Sequence, residues 1–329
     1  MISIFMWAAM AVVPVQDKAQ DAPPPLPPLS KPKDAGRDPA AETSTLVPGA
    51  LPADTDAKAR DAWERTTRGR LEGQTAVGTA RVSAFDLSID VRQRSADNQT
   101  NDSPKPWRYR FQNPGWVRVT SHSQRELVRG PNGDFLVDPE RREVVRLQRL
   151  SRDDARDLQQ LDESVNIARN FIALTDPSAL RIARLALLAT APQGLPKAVL
   201  ERSRSLALQW LDVRTPDFHL VPASGRAPVP PSSVLRVRIG ADPKTGEVAM
   251  AIVDVDAGTD ALSPAAVLVE LASYAPINGF RMPGVIKVYE TDEHSSPRAF
   301  RGEPTTMLGV HVDSANLRAQ FKPEDFDPH

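Results

Sequence analysis

From residue 85 to about residue 150 the chain alternates apolar and polar residues with a period of two, and short turn sequences cut the alternation into segments. That period places successive side chains on opposite faces of an extended backbone, so each segment reads as a strand with one buried face. Phe85, Leu87, Ile89 and Val91 oppose Asp86, Ser88, Asp90 and Arg92. Trp107, Tyr109 and Phe111 alternate with Arg108 and Arg110, and Val117 and Val119 alternate with Trp116, Arg118 and Thr120. Asn113-Pro114-Gly115, Gly130-Pro131-Asn132-Gly133 and Asp138-Pro139-Glu140-Arg141 supply turns, with strands around Leu127, at Phe135 to Val137 and from Val144 onward. Connections this short permit only antiparallel neighbours, because a parallel crossover needs a dozen residues or more. The pattern is a meander, and it excludes a parallel α/β sheet.

Helical spacing brackets this meander. Ala59, Ala62, Trp63 and Thr66 form one stripe, capped by Asp54 or Thr55 and ending near Gly69. After the meander, Ser151 with Asp154 resembles a capping box, and Leu158, Leu161, Val165, Ala168 and Phe171 keep a 3-4 spacing. Pro177 suits the first turn of a second helix carrying Leu180, Ala183, Leu187 and Leu188. Strands resume at Leu206-Leu208-Trp210, at Leu235-Val237-Ile239, and after the turn Asp242-Pro243-Lys244-Thr245-Gly246; further ones are expected near residues 267–274, 285–289 and 308–312. The order helix, strands, two helices, strands describes one α+β domain with an antiparallel sheet large enough to curl.

The N-terminal residues differ in kind. Residues 2–13 (ISIFMWAAMAVV) are apolar and uncharged, too short to span a bilayer comfortably, and read as the core of a signal peptide over residues 1–15. Residues 16–52 collect much of the chain's proline, 31 residues against 17 glycines overall, and hold few large apolar side chains. Such a segment has too little burial to offset its ordering entropy and reads as a disordered linker, leaving residues 53–329 as the domain. The expected location is outside the cytoplasm, in the periplasm or cell envelope. Membrane association is expected to be peripheral at most, or to run through an uncleaved N-terminal segment.

The 329 residues include no cysteine, which removes thiol nucleophiles, disulfides and thiolate-bound metals. The five histidines stand far apart outside any H-E-x-x-H pattern, and P-loop, G-x-S-x-G and G-x-G-x-x-G frameworks are missing. Residues 254–260 (DVDAGTD) fit an acidic turn better than a calcium loop, since Ala265 stands where the bidentate glutamate belongs. The chain is therefore read as a non-enzyme with no cofactor and no metal. A formal net charge of -1 gives no reason to expect nucleic acid as a partner. Two features remain as binding candidates. The bulky residues Phe85, Leu87, Ile89, Trp107, Tyr109, Phe111, Trp116, Phe135 and Trp210 either fill a closed core or line an open apolar cavity. Arg108, Arg110 and Arg118 belong to a basic stretch that is either a solvated strand face or a surface for lipid headgroups or an acidic envelope protein.

Four stretches, in this order, resemble the LolA/LolB-like superfamily of periplasmic lipoprotein carriers. They are residues 107–119 (WRYRFQNPGWVRV), 127–139 (LVRGPNGDFLVDP), 278–283 (NGFRMP) leading into residues 285–289, and 321–326 (FKPEDF). The resemblance implies an unclosed antiparallel half-barrel covered by helices, with an apolar cavity for an acyl chain or lipoprotein. Residues 176–204 depart from the family's pattern. The alternative expectation is an envelope interaction or stress-sensing module whose core is filled and whose arginine-rich face does the binding.

Overall fold

The computed structural model describes residues 46–71, 81–94, 100–102, 105–147, 152–219, 234–255, 261–292 and 294–328. The signal-like segment, most of the proline-rich stretch, Ser151 and most of the acidic turn lie outside these residues.

Helix α1 (Ala57–Gly69) is capped by Asp56, whose side chain accepts from the Ala59 N–H at 3.0 Å. The cap thus falls one residue later than Thr55, while the expected stripe of Ala59, Ala62, Trp63 and Thr66 is buried. Contacts with the domain begin ahead of the helix: Gly49 N–H donates to the Leu180 carbonyl, and Leu51 packs on the core.

The strands are β1 (Ala84–Arg94), β2 (Thr100–Asp102), β3 (Trp107–Gln112), β4 (Trp116–Thr120), β5 (Glu126–Gly130), β6 (Gly133–Asp138) and β7 (Glu143–Arg146). Helix α2 (Arg152–Thr175) follows, then β8 (Arg184–Leu188), helix α3 (Lys197–Ser205), β9 (Gln209–Thr215), β10 (Leu235–Ala241), β11 (Val248–Val255), β12 (Val267–Ile277), β13 (Phe280–Glu290) and β14 (Thr306–Val310). All belong to one antiparallel sheet, ordered β7-β6-β5-β4-β3-β1-β14-β13-β12-β11-β10-β9-β8, with β2 paired to β1. Two meanders, one on each side of α2, are sewn together by the pairing of β1 with β14. Among the described residues the outermost strands β7 and β8 do not pair, so the sheet is an unclosed half-barrel within an α+β domain, as expected.

Two helical expectations need correction. Beyond Pro177 the chain makes only a short 3-10 turn (Pro177–Ala179) and then β8, whose Leu185 and Leu187 pair with Val213 and Leu211. The spacing of Leu180, Ala183 and Leu187 suits a helix in isolation, but an edge of β9 offering unpaired backbone groups wins the segment. The second correction is the strand expected from Leu206: a helix, α3, starts after Pro196, Leu206 is its C-cap, and β9 begins only at Gln209.

The inner face of the sheet carries the main core, to which α1 and α2 contribute Trp63, Leu161, Val165 and Ile172. On the outer face α3 covers Trp210, Met250, Ile252, Leu268 and Tyr289, so β10 and most of β11 are buried on both sides. A third, smaller cluster holds the C-terminal tail through Phe326.

Candidate functional site

Six of the nine apolar candidates come from β1 and β3 and form one patch. The register sets Phe85 opposite Phe111, Leu87 opposite Tyr109 and Ile89 opposite Trp107. Cross-strand neighbours of this kind stabilise a sheet pair by contact on one face. Phe85 stacks on Phe111 with centroids 5.6 Å apart, and Phe171 of α2 meets Phe85 edge-on at 5.2 Å. The Tyr109 hydroxyl donates to the Ser164 carbonyl of α2 at 2.7 Å, and burial pushes its phenol pKa up. All six residues are between 0% and 5% exposed, and α2 meets the patch at Phe85 through Phe171 and at Tyr109 through the Ser164 carbonyl.

The other three do not join it. Trp116 and Phe135 lie in the tail cluster, where Trp116 faces Phe326 at 5.8 Å. Gly130 makes room for that tail, since a Cβ there would sit 2.3 Å from the Phe326 carbonyl oxygen. Trp210 belongs to the outer-face cluster and donates through Nε1 to Ser203 of α3 at 3.1 Å. Strand parity separates it from the patch: Leu211 and Val213, the inward residues of β9, join the main core instead.

The candidate arginines are engaged within the molecule. Arg108 makes a bidentate contact with Asp86 at 2.9 and 2.7 Å, which raises its pKa, and Arg110 lies 3.3 Å from the same carboxylate. Arg118, nearly buried, donates to Glu126 and to the carbonyls of Asp325 and Asp327, fastening the tail to β4. Arg129 bridges Asp134 of β6 and Asp162 of α2. The basic stretch is thus largely neutralised across strands.

α2 is the connection between the two edge strands and covers the patch. Its 24 residues span about 36 Å. Besides its apolar stripe, it is held by Tyr109, by Arg129, by an Arg169 contact to the Pro114 carbonyl at 3.1 Å, and by Asn170. The Asn170 amide accepts from His219 N–H at 2.7 Å and donates to the His219 carbonyl. Burial, then the nearby Arg169 charge, lowers the His219 pKa to about 4. That imidazole is neutral near pH 7 and unsuited to proton transfer there. Among the described residues no three His, Asp or Glu side chains gather to hold a metal, and no helix is long and apolar enough to cross a membrane.

One polar cluster escaped sequence reasoning. Glu270, within the apolar run Val267-Leu268-Val269-Glu270-Leu271, accepts from the Tyr289 hydroxyl at 2.8 Å, pairs with Arg202 of α3 and lies 3.3 Å from Lys287. A carboxylate amid β-branched and aliphatic residues was the available signal. Burial pushes the Glu270 carboxyl upward, but the hydrogen bonds from Tyr289 and Arg202 and the Lys287 charge outweigh it and hold the pKa below the ordinary value. A carboxyl depressed in the folded state stabilises the fold above its unfolded pKa, and the contribution is lost as pH falls through the folded value. Glu270→Gln is therefore expected to cost about 1.5–3 kcal/mol at pH 7. The gap to the wild type should narrow as pH drops below about 4.5, read by thermal unfolding across pH. A gap that stays constant to pH 3 would show that the charge of Glu270 contributes nothing.

No family model matches the chain, and no curated protein matches it by sequence. Among solved structures it is similar to a LolA superfamily protein, NE2245 from Nitrosomonas europaea, at 12% identity and a TM-score of 0.39, over 82% of this chain and 97% of that one. A putative outer membrane lipoprotein-sorting protein domain from Vibrio parahaemolyticus is similar at 11% identity and a TM-score of 0.38, over 82% of this chain and 95% of that one. A DUF1329 family protein from Desulfovibrio piger is similar at 9% identity and a TM-score of 0.38, over 82% of this chain and 97% of that one. At these identities and TM-scores the likeness adds nothing to the chemistry of the site.

Proposed function

We propose that this protein is an exported, non-enzymatic carrier in the cell envelope, which takes an acyl chain or the lipid part of a lipoprotein between the inner face of the sheet and α2. The observation that carries this reading is the buried patch of Phe85, Leu87, Ile89, Trp107, Tyr109 and Phe111, on which α2 packs through Phe171 and Ser164, α2 lying in the chain between the edge strands β7 and β8. The patch is closed in this form, so entry requires α2 to move, its Leu161, Val165 and Ile172 leaving the core to make way for the chain of the ligand. Burying an acyl chain yields roughly 0.8 kcal/mol per methylene, enough to offset such an exchange without any covalent step.

A second reading, an envelope interaction module with a filled core, is favoured by the near-complete burial of the same six residues. The two part on one experiment. Titration with a fluorescent fatty acid should show saturable uptake, and hydrogen exchange should show amides of α2 losing protection on binding while β1 and β3 keep theirs. A protein that purifies lipid-free and takes up no fatty acid would leave the filled-core reading.

A further inference from the structure

Across the sheet, arginines are matched to carboxylates at short range: Arg108 to Asp86, Arg118 to Glu126, Arg181 to Asp217 and Arg236 to Asp212, each pair at 2.6 or 2.7 Å. Among the described residues, one cleft gathers more cations than carboxylates. A cleft of about 370 Å³ lies between the C-terminal end of α1 and the β10–β11 turn, lined by Arg65, Arg68, Lys244 and Arg281, with Glu247 its single carboxylate. Arg281 occupies that carboxylate at 2.7 Å. Arg68 reaches Glu64 at 3.3 Å in an exposed pair of the kind that contributes little. Among the described residues Arg65 donates to the neutral side chain of Gln209 and to no carboxylate, and Lys244 has no ion-pair partner.

The cleft is built by a backbone contact. A Cβ on Gly246, whose φ is +76°, would lie 2.2 Å from the Arg65 carbonyl oxygen, and one on Gly69 would lie 2.3 Å from the Gly246 carbonyl carbon. The turn therefore seats directly on the last turns of the helix, and Lys244 comes to line the same opening as Arg65 and Arg68. This helix end contributes about half a negative charge, which opposes an anion, but the cations left without a strong partner outweigh it.

We infer that this cleft binds a phosphate group, carried either by free phosphate or by a lipid headgroup. Guanidinium groups fork onto phosphate oxygens and an ammonium adds a point charge. The assignment is independent of acyl-chain uptake.

The full chain would be titrated with inorganic phosphate by calorimetry at low ionic strength, with chloride at matched ionic strength as the control. It would also be sedimented with phosphatidylglycerol vesicles and with phosphatidylcholine vesicles. The expected result is saturable binding of phosphate, of the phosphatidylglycerol vesicles, or of both. Binding should weaken at least tenfold in Lys244→Ala/Arg65→Ala, whose two residues are exposed and whose loss should leave the Tm unchanged. Phosphate binding alone identifies the free anion as ligand, and vesicle binding, with or without competition by phosphate, identifies the headgroup. No binding of either probe, or binding equal in the double variant and the wild type, would overturn the inference.

Discussion

Asp176→Ala is expected to destabilise the domain by about 3–5 kcal/mol, because it removes one half of a buried ion pair and leaves a buried guanidinium behind. Asp176 is 0% exposed. It accepts from Arg70 Nη1 at 3.0 Å, from the Val82 N–H at 3.2 Å and from the Ser178 hydroxyl at 2.6 Å. Those three partners belong to the end of α1, the approach to β1 and the 3-10 turn that precedes β8, so one carboxylate ties together both halves of the fold. Burial, with the nearby Arg81 charge, lowers the Arg70 pKa more than Asp176 raises it. In a domain of this size the loss should lower the Tm by roughly 10 °C. Asp176→Asn should fall between, keeping two acceptor contacts without the charge. Arg70→Met/Asp176→Leu should be more stable than Asp176→Ala, since neither ion of the pair is left buried without its partner. Urea unfolding of the three variants checks the order, and an alanine variant within 1 kcal/mol of wild type would show that Arg70 is compensated elsewhere.

The meander was legible because its strands keep one face dry and one wet. In β1, Phe85, Leu87 and Ile89 are buried while Asp86 and Asp90 remain partly or largely in water, and that contrast is written in the residues themselves. The same contrast vanishes in β9, where Trp210 and Leu211 are both buried, on opposite faces. Alternation cannot tell the inner from the outer face once α3 covers the outside, and so Trp210 was grouped with residues it never touches. α3 itself buries only Val199 and Ser203, too narrow a stripe to stand out. The pairing of the arginines was not legible for another reason. Asp86 becomes the partner of Arg108 and Arg110 only when β1 and β3 are placed in register, and register is a property of the pair. β8 shows the limit of local spacing: RLALL satisfies either period, and its hydrogen-bond partner β9 lies more than twenty residues away.

Phe111→Ala carries the other large effect and separates the two functional readings. Phe111 is 0% exposed, stacked on Phe85 and paired in register with Val117 of β4. Truncating a buried phenylalanine costs about 3–5 kcal/mol, the lost transfer energy plus the cavity left behind. That loss is expected in the ligand-free protein under either reading, because the patch is packed against α2 in both. The readings differ in what a fatty acid does next. If α2 opens to admit an acyl chain, saturating fatty acid should raise the Tm of the wild type, and ligand at about 100 times its Kd adds roughly 2.7 kcal/mol by mass action. Phe111→Ala would then bind more weakly, since the ring it lacks is part of the binding face, but would still be stabilised by ligand. If the core is permanently filled, fatty acid leaves the Tm of both proteins unchanged, and only the 3–5 kcal/mol difference between them remains. A stabilising shift that is equal in wild type and Phe111→Ala at every ligand concentration would place the acyl chain away from the β1–β3 patch and exclude the proposed route beneath α2.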